Sequence, residues 1–137
     1  MIPILVDTNA YAAWQRGISG AAEVIEAAPS LGLSVIVLGE LLTGFKVGAR
    51  FNKNIEGLNR FLASPIVEIV PIDRAIAERY ANLSVVLRQT GTPIPSNDLW
   101  VAATALERGF AVFTHDSHFR AVPGLKIGSC LADFQAA

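Results

Sequence analysis

Four acidic residues stand where this sequence can do chemistry. Asp7 directly follows a short apolar run, Ile2–Val6. Glu40 comes just after a second run, Leu33–Val37. Asp116 comes just after a third, Phe110–Phe113, and Asp98 opens the segment that leads into it. Four carboxylates gathered in one place repel one another and raise each other's pKa values when nothing lies between them. Such a group makes chemical sense around hard divalent cations, since Mg2+ prefers carboxylate and water oxygens in octahedral geometry and keeps several waters. One or two such ions can lower the pKa of a bound water, clamp a phosphodiester and stabilise the leaving oxygen. No nucleophilic side chain is then required. The chain accordingly has no G-x-S-x-G elbow, no catalytic Cys–His pairing and no zinc-like Cys/His cluster.

Each acid also has an ordinary structural reading. Asp7 after a strand reads equally well as a helix cap. Asp98 in a first turn favours the helix dipole by roughly 0.3–1 kcal/mol. Glu40 reads as an exposed helix residue and Asp116 as a turn residue after Thr114-His115. Their coincidence carries the functional reading, and it depends on the elements that position them.

Apolar runs bounded by turn residues alternate with helical periodicity along the chain. Ile2–Val6, Leu33–Val37, Ile66–Val70 and Phe110–Phe113 are predicted strands, with a short fifth at Leu125–Ile127. Thr8 and Asn9 are candidate caps for a helix through Trp14. Ala21–Ala28 follows as a helix, and Leu38–Thr43 starts another that Gly44 should interrupt. Asn52–Leu62 is helical. Asp73 caps a long helix with Ile76, Tyr80, Leu83 and Leu87 on one face. Ser96 and Asn97 are candidate caps for a helix from Asp98 to Glu107, stopped by Gly109. That helix is apolar nearly all round and should be buried. The pattern implies an α/β domain with a parallel sheet covered by helices on both faces. Its binding crevice belongs at the carboxyl ends of the strands. Asp7, Glu40 and Asp116 fall at that edge. Asp98 reaches it because a helix running antiparallel to the strands starts there.

The bulk composition fits. The 137 residues suit one domain, 1–137, and 52% hydrophobic against 17% charged residues excludes disorder. The apolar fraction suggests a heavily buried sheet or an oligomer interface. No run reaches the roughly 18 apolar residues of a membrane span, and the first residues carry no basic region or cleavage site. The single cysteine, Cys130, has no internal partner and reads as a small buried hydrophobe, which fits a reducing cytoplasm. A net charge of −1 lacks the bulk basic signature of many nucleic-acid binders. Once four acids are neutralised by metal, however, the remainder is mildly basic, which suits a polyanion held over an acidic pit.

The motifs Val6-Asp7-Thr8-Asn9, Gly39-Glu40-Leu41-Leu42-Thr43-Gly44, Asn97-Asp98-Leu99-Trp100-Val101-Ala102-Ala103-Thr104-Ala105 and Thr114-His115-Asp116-Ser117-His118-Phe119 resemble, in order and spacing, those of the PIN-domain ribonucleases. Within that group the chain resembles the VapC-type toxins of bacterial toxin–antitoxin pairs, over essentially its whole length. The resemblance implies a PIN-like three-layer sandwich with a five-stranded parallel sheet. It implies a Mg2+-dependent endoribonuclease, with Mn2+ able to substitute, that hydrolyses RNA through metal-activated water. A homodimer, a cognate antitoxin and a structured RNA substrate such as tRNA are implied with it. The antitoxin's tail would cover the groove and place a basic residue near the acids. The family's acids match Asp7, Glu40, Asp98 and Asp116, as catalytic and metal-binding residues. Its strand-end polar residues match Thr8 or Asn9 and Thr114, to orient a carboxylate or a coordinated water. One departure stands out: Val37-Leu38 precede the Glu motif where a Thr or Ser cap is expected.

Other residues invite less. His115 and His118 flank Asp116 and read as loop residues, with catalysis or RNA contact as the lesser alternative. Trp14 could stack on bases, and Trp100 reads as core. Lys46, Arg50, Lys53 and Arg60, interleaved with Phe45 and Phe51, either border an RNA path or form a solvated helix face with an aromatic dimer or antitoxin contact. Among other functions, a receiver-like Mg2+-binding signalling domain would want a second acid near Asp7 and a Lys near the last strand. A dehalogenase-like phosphatase would want Asp where Asn9 stands. A non-catalytic PIN-like partner- or RNA-binding module would be expected to have lost acids.

Overall fold

In the computed structural model, which describes residues 1–135, five parallel strands form one sheet in the order β3-β2-β1-β4-β5. They are β1 (Ile4–Val6), β2 (Leu31–Ser34), β3 (Val67–Val70), β4 (Ala111–Phe113) and β5 (Ile127–Gly128). Seven helices connect or flank them: α1 (Thr8–Gln15), α2 (Ala21–Ala27), α3 (Val35–Val47), α4 (Phe51–Leu62), α5 (Arg74–Gln89), α6 (Ser96–Arg108) and α7 (Leu131–Phe134). A 3₁₀ turn covers Ser117–Ala121.

Successive residues of a strand face opposite sides of its sheet. Ile4, Leu5 and Val6 are all fully buried, as are Ala111, Val112 and Phe113. Both faces of the central strands are therefore covered, as the uninterrupted apolar runs require. The chain adds β2 and β3 outward on one side of β1, then returns to add β4 on the other. That puts the topological switch point between β1 and β4, where a ligand crevice opens at the strands' carboxyl ends. The order differs from the 2-1-3-4-5 order of the flavodoxin-like fold, which removes the receiver-like alternative.

Helix α6 is the pillar of one layer. Leu99, Val101, Ala102, Ala103, Thr104 and Ala105 are all buried, and Trp100 stacks on Tyr80 of α5 with ring centroids 3.9 Å apart. Gly109 closes the helix at φ 75°, a left-handed conformation that a residue without Cβ adopts freely. Asp73 caps α5 by accepting from the Ile76 amide at 2.9 Å.

Several boundaries differ from expectation for identifiable reasons. Val35–Val37 is helical, not strand. Ser34, itself buried, ends β2 and accepts from the Ile36 amide through its hydroxyl at 3.1 Å, starting α3 early. The hydroxyl cap that seemed missing before the Glu motif is therefore present, three residues before Val37. Gly44 does not interrupt α3, which runs through it to Val47. A mid-helix glycine costs only about 1 kcal/mol against alanine, and helix hydrogen bonding continues to the cap, where the Gly48 amide reaches the Gly44 carbonyl. Thr8 and Asn9 lie inside α1 after Asp7, and Ser96 and Asn97 inside α6 after Pro95, so none of the four is a cap residue. The fifth strand falls at Ile127–Gly128. Cys130 is exposed, not buried, because it is the N-cap of α7 and shares a capping box with Asp133.

Candidate active site

The crevice between β1 and β4 is built from strand ends outward. β1 ends at Val6, and the next residue, Asp7, is only 4% exposed. A carboxylate this buried must be hydrogen-bonded. Thr114, the residue after β4 and equally buried, donates its hydroxyl to Asp7 Oδ2 at 2.8 Å. Asn9 Nδ2 adds a second contact to the same oxygen at 3.2 Å. Burial pushes the Asp7 pKa up, the bond from Thr114 opposes that rise, and the nearby charges of Asp98 and Glu40 add to it.

Asn9 ties the two strand ends together. Its Oδ1 accepts from the His115 amide at 2.8 Å, while Nδ2 lies within reach of Thr114 Oγ1 at 3.3 Å. Thr114 Oγ1 in turn accepts from the Asp116 amide at 3.0 Å. The polar residues after β1 and β4 thus hold the loop carrying Asp116 against β1. Asp116 also caps the 3₁₀ turn, accepting from the His118 amide at 2.9 Å.

Glu40 arrives from α3. The Thr8 hydroxyl donates to its Oε1 at 2.7 Å and Asn97 Nδ2 to its Oε2 at 3.3 Å. Its two neighbours come from the first turns of α1 and α6, so one carboxylate links three helices that all begin at the crevice. Asp98 follows Asn97 in the first turn of α6.

Opposite Asp98 stands a residue that sequence reasoning set aside. His118 Nδ1 lies 3.0 Å from Asp98 Oδ2 and 3.0 Å from Asp116 Oδ1, with the hydrogen-bond geometry favouring Asp98. One ligand atom each from Asp98, Asp116 and His118 lie within 4.8 Å of one another. Burial raises the Asp98 pKa, the His118 bond pulls it back, and the charges of Asp116 and Glu40 push it further up. The His118 pKa is raised by its bond to Asp98 and by the charge of Asp116. When protonated, the imidazole sets positive charge between the Asp98 and Asp116 carboxylates. The only sequence signal for this was the i, i+2 spacing from Asp116, which places His118 one step into the turn that Asp116 caps.

The structure therefore links all four sequence-chosen acids through shared partners and mutual charge. It places Thr8, Asn9 and Thr114 on Glu40, on the β1–β4 junction and on Asp7 respectively. His115 does not join them: its ring lies edge-on to Phe113. Trp14 packs in a cluster with Tyr11 and Phe61, so it has an aromatic-packing role rather than a free stacking face. The donor set suits a divalent cation. Two carboxylate oxygens, from Asp98 and Asp116, and the His118 imidazole nitrogen lie close enough to share one ion, and the Asp7 and Asp98 pKa values are raised by burial and by neighbouring negative charge that a cation would relieve.

Comparison with known proteins places the fold in a known family. The PIN domain family model matches residues 4–125. The chain is 33% identical over 96 residues to ribonuclease VapC4 of Mycobacterium tuberculosis, covering 70% of this chain and 74% of that protein. Among solved structures it resembles VapBC2 of Rickettsia felis, determined bound to a DNA fragment from their promoter. There the TM-score is 0.82 at 25% identity, covering 92% of this chain and 97% of that one. It also resembles VapBC-5 of Mycobacterium tuberculosis, a member of the VapBC family of toxin–antitoxin systems. In that case the TM-score is 0.73 at 25% identity, covering 92% and 95%.

Proposed function

The chain belongs to the PIN-domain family, and from that premise we propose that it is a divalent-metal-dependent endoribonuclease, the toxin of a toxin–antitoxin pair. One observation carries the reading: at the switch point between β1 and β4, four acids from separate elements are held by hydroxyl, amide and imidazole partners rather than left as scattered surface charges.

Asp7, Asp98 and Asp116 are the residues that would hold the cation, Mg2+ on the strength of their hard oxygen donors, with Mn2+ able to substitute. When bound, such an ion supplies Lewis acidity toward a phosphoryl oxygen and lowers the pKa of a water. Thr114 and Asn9 fix the Asp7 carboxylate, and the bond from Thr114 opposes the rise in pKa that burial causes. Glu40 keeps lone pairs free on oxygens already oriented by Thr8 and Asn97, so it can position the attacking water or take its proton. Water attacks phosphorus in line, and the 3′-oxygen leaves.

The ends of the products test this. Attack by water leaves a 5′-phosphate and a 3′-hydroxyl. A 2′,3′-cyclic phosphate would overturn the mechanism, because it requires attack by the RNA's own 2′-hydroxyl.

The chain acts as one nuclease domain in the cytoplasm, on structured RNA such as tRNA, and is held inactive by an antitoxin. Among the described residues no helix is long and apolar enough to cross a membrane. It pairs with a second copy. Of the thirteen residues in α3 only Val37 and Leu41 are buried, although most of the helix is apolar, and Val35 and Val47 are exposed. A second copy covering this face would explain the composition.

A further inference from the structure

A groove of about 390 Å³ lies between α1, α3 and α4. Its charged lining has one sign: Arg16, Arg50, Lys53 and Arg60, with no acid. Among the described residues none of these four makes an ion pair, whereas Arg74, Arg79 and Arg108 are each bonded to a glutamate. Glu56 lies on the same helix as Lys53 and Arg60 but does not line the groove. Cations concentrated in a concave site without counter-charges raise the local positive potential, and a bound anion relieves it. The side-chain amides of Gln15 and Asn54 add neutral donors. Gly57 is part of the lining. A Cβ there would make ordinary van der Waals contact with Gln15 Oε1 at 3.4 Å, so the groove does not depend on this glycine.

The groove shares two walls with the acids. Helix α1 begins with Thr8, bonded to Glu40, and Ala12 and Arg16 follow on the same helical stripe. Arg16 is about 12 Å along the axis from Thr8. On α3, Leu41 lines the groove directly after Glu40, and Phe45 follows one turn on. A chain leaving the acids along these helices reaches the cations within a few nucleotides.

We propose that this groove binds the phosphate backbone of the RNA strand on one side of the scissile bond. The assignment rests on the nuclease reading and adds a binding site to it. Arginine suits the task because its planar fork meets phosphate oxygens in pairs. The contacts carry no sequence information; they hold the strand in register. Lys46 is not part of the lining, since its ammonium sits 5.3 Å from the Phe51 ring centroid instead.

The test uses the full chain carrying Asp98→Asn, to stop cleavage, and a short fluorescein-labelled single-stranded RNA of mixed sequence. Affinity is followed from roughly 50 to 200 mM salt. Arg16→Gln with Lys53→Gln is compared with Arg74→Gln with Lys126→Gln, exposed cations that line neither the groove nor the acids. The groove pair should weaken binding at low salt by about tenfold or more and flatten the log–log salt slope by roughly 1.4, about 0.7 per lost contact on a single strand. The remote pair should change neither. In the otherwise wild-type protein the groove pair should raise KM and leave kcat near its starting value. All four positions are exposed, so melting temperatures should stay together. Unchanged RNA affinity and slope in the groove pair would overturn the proposal and leave an acidic protein segment as the occupant suited to that charge. Loss of metal response and cleavage in the wild type would overturn the nuclease reading instead, and the RNA-binding comparison reads independently of it.

Discussion

The Thr114 hydroxyl donates a 2.8 Å hydrogen bond to Asp7 across 107 positions of sequence, joining the ends of two adjacent strands through side chains that are each 4% exposed. A buried carboxylate stripped of such a donor loses stability and pKa control together. Thr114→Val should therefore destabilise the fold by ~1–3 kcal/mol in denaturant titration, while Thr114→Ser, which keeps the hydroxyl, should stay close to wild type. Equal losses in the two variants would mean that the methyl group, not the bond, matters.

The acids should be a burden on the metal-free protein. The pKa values of Asp7 and Asp98 are both raised in the folded state, burial being the largest cause. A folded state that holds its protons more tightly than the unfolded chain loses stability as pH rises. The loss should begin near the ordinary aspartate value of 3.8 and be complete once pH passes the raised folded values. Melting of the chelator-treated protein across this range measures it. Asp98→Asn should flatten the decline and, at neutral pH without metal, melt above wild type while losing activity. A clear fall in its melting temperature would show that Asp98 is structural.

His118 should contribute with a defined pH window. Its folded pKa is raised, first by the bond to Asp98 and then by the charge of Asp116. The stabilisation is therefore fully present below the unfolded histidine value and disappears as pH climbs through the folded one. In chelator, His118→Ala should melt below wild type in mild acid, and the two curves should converge in mild alkali. A gap independent of pH would show that the imidazole acts by packing rather than by charge.

The α3 face should hold two copies together. Val35→Glu with Val47→Glu alters only exposed positions of this chain yet places charge at both ends of the expected contact. Sedimentation should show a shift from dimer to monomer with metal-induced stabilisation retained. A wild type that sediments as a monomer at every concentration would remove the dimer from the account.

Asp7 and Asp116 were legible in the sequence because each sits where a strand's apolar run stops, and in a parallel α/β sheet those stops share one edge; Glu40 reaches that edge from inside α3, not from the end of β2. Asp98 needed one further step, the direction of the helix it opens, and α6 was readable from its continuous apolar surface. The start of α3 was not readable in the same way. Val35-Ile36-Val37 has the β-branched composition of a strand, and only the buried Ser34 hydroxyl on the Ile36 amide turns it into a helix. His118 was missed because its role depends on a turn capped by Asp116 facing the first turn of α6, a relation between loops that no periodicity encodes. The basic segment was visible from Lys46 to Arg60, but Arg16, contributed by α1, was not, and Lys46 turned out to point elsewhere. Cys130 was misjudged because its type suggests burial, whereas its position at a helix start calls for a cap.

The central claim is that Asp7, Glu40, Asp98 and Asp116 form one divalent-cation site, and metal titration tests it without knowledge of the RNA target. Mg2+ and Mn2+ would be added to the pure protein while thermal stability is followed, with Asp7→Asn, Glu40→Gln, Asp98→Asn and Asp116→Asn alongside. The wild type should be stabilised by about RT ln(1 + [L]/Kd), roughly 2.7 kcal/mol at a hundredfold excess over Kd, and each substitution should weaken the response. No stabilisation at millimolar metal, or a response that survives all four substitutions, would contradict it.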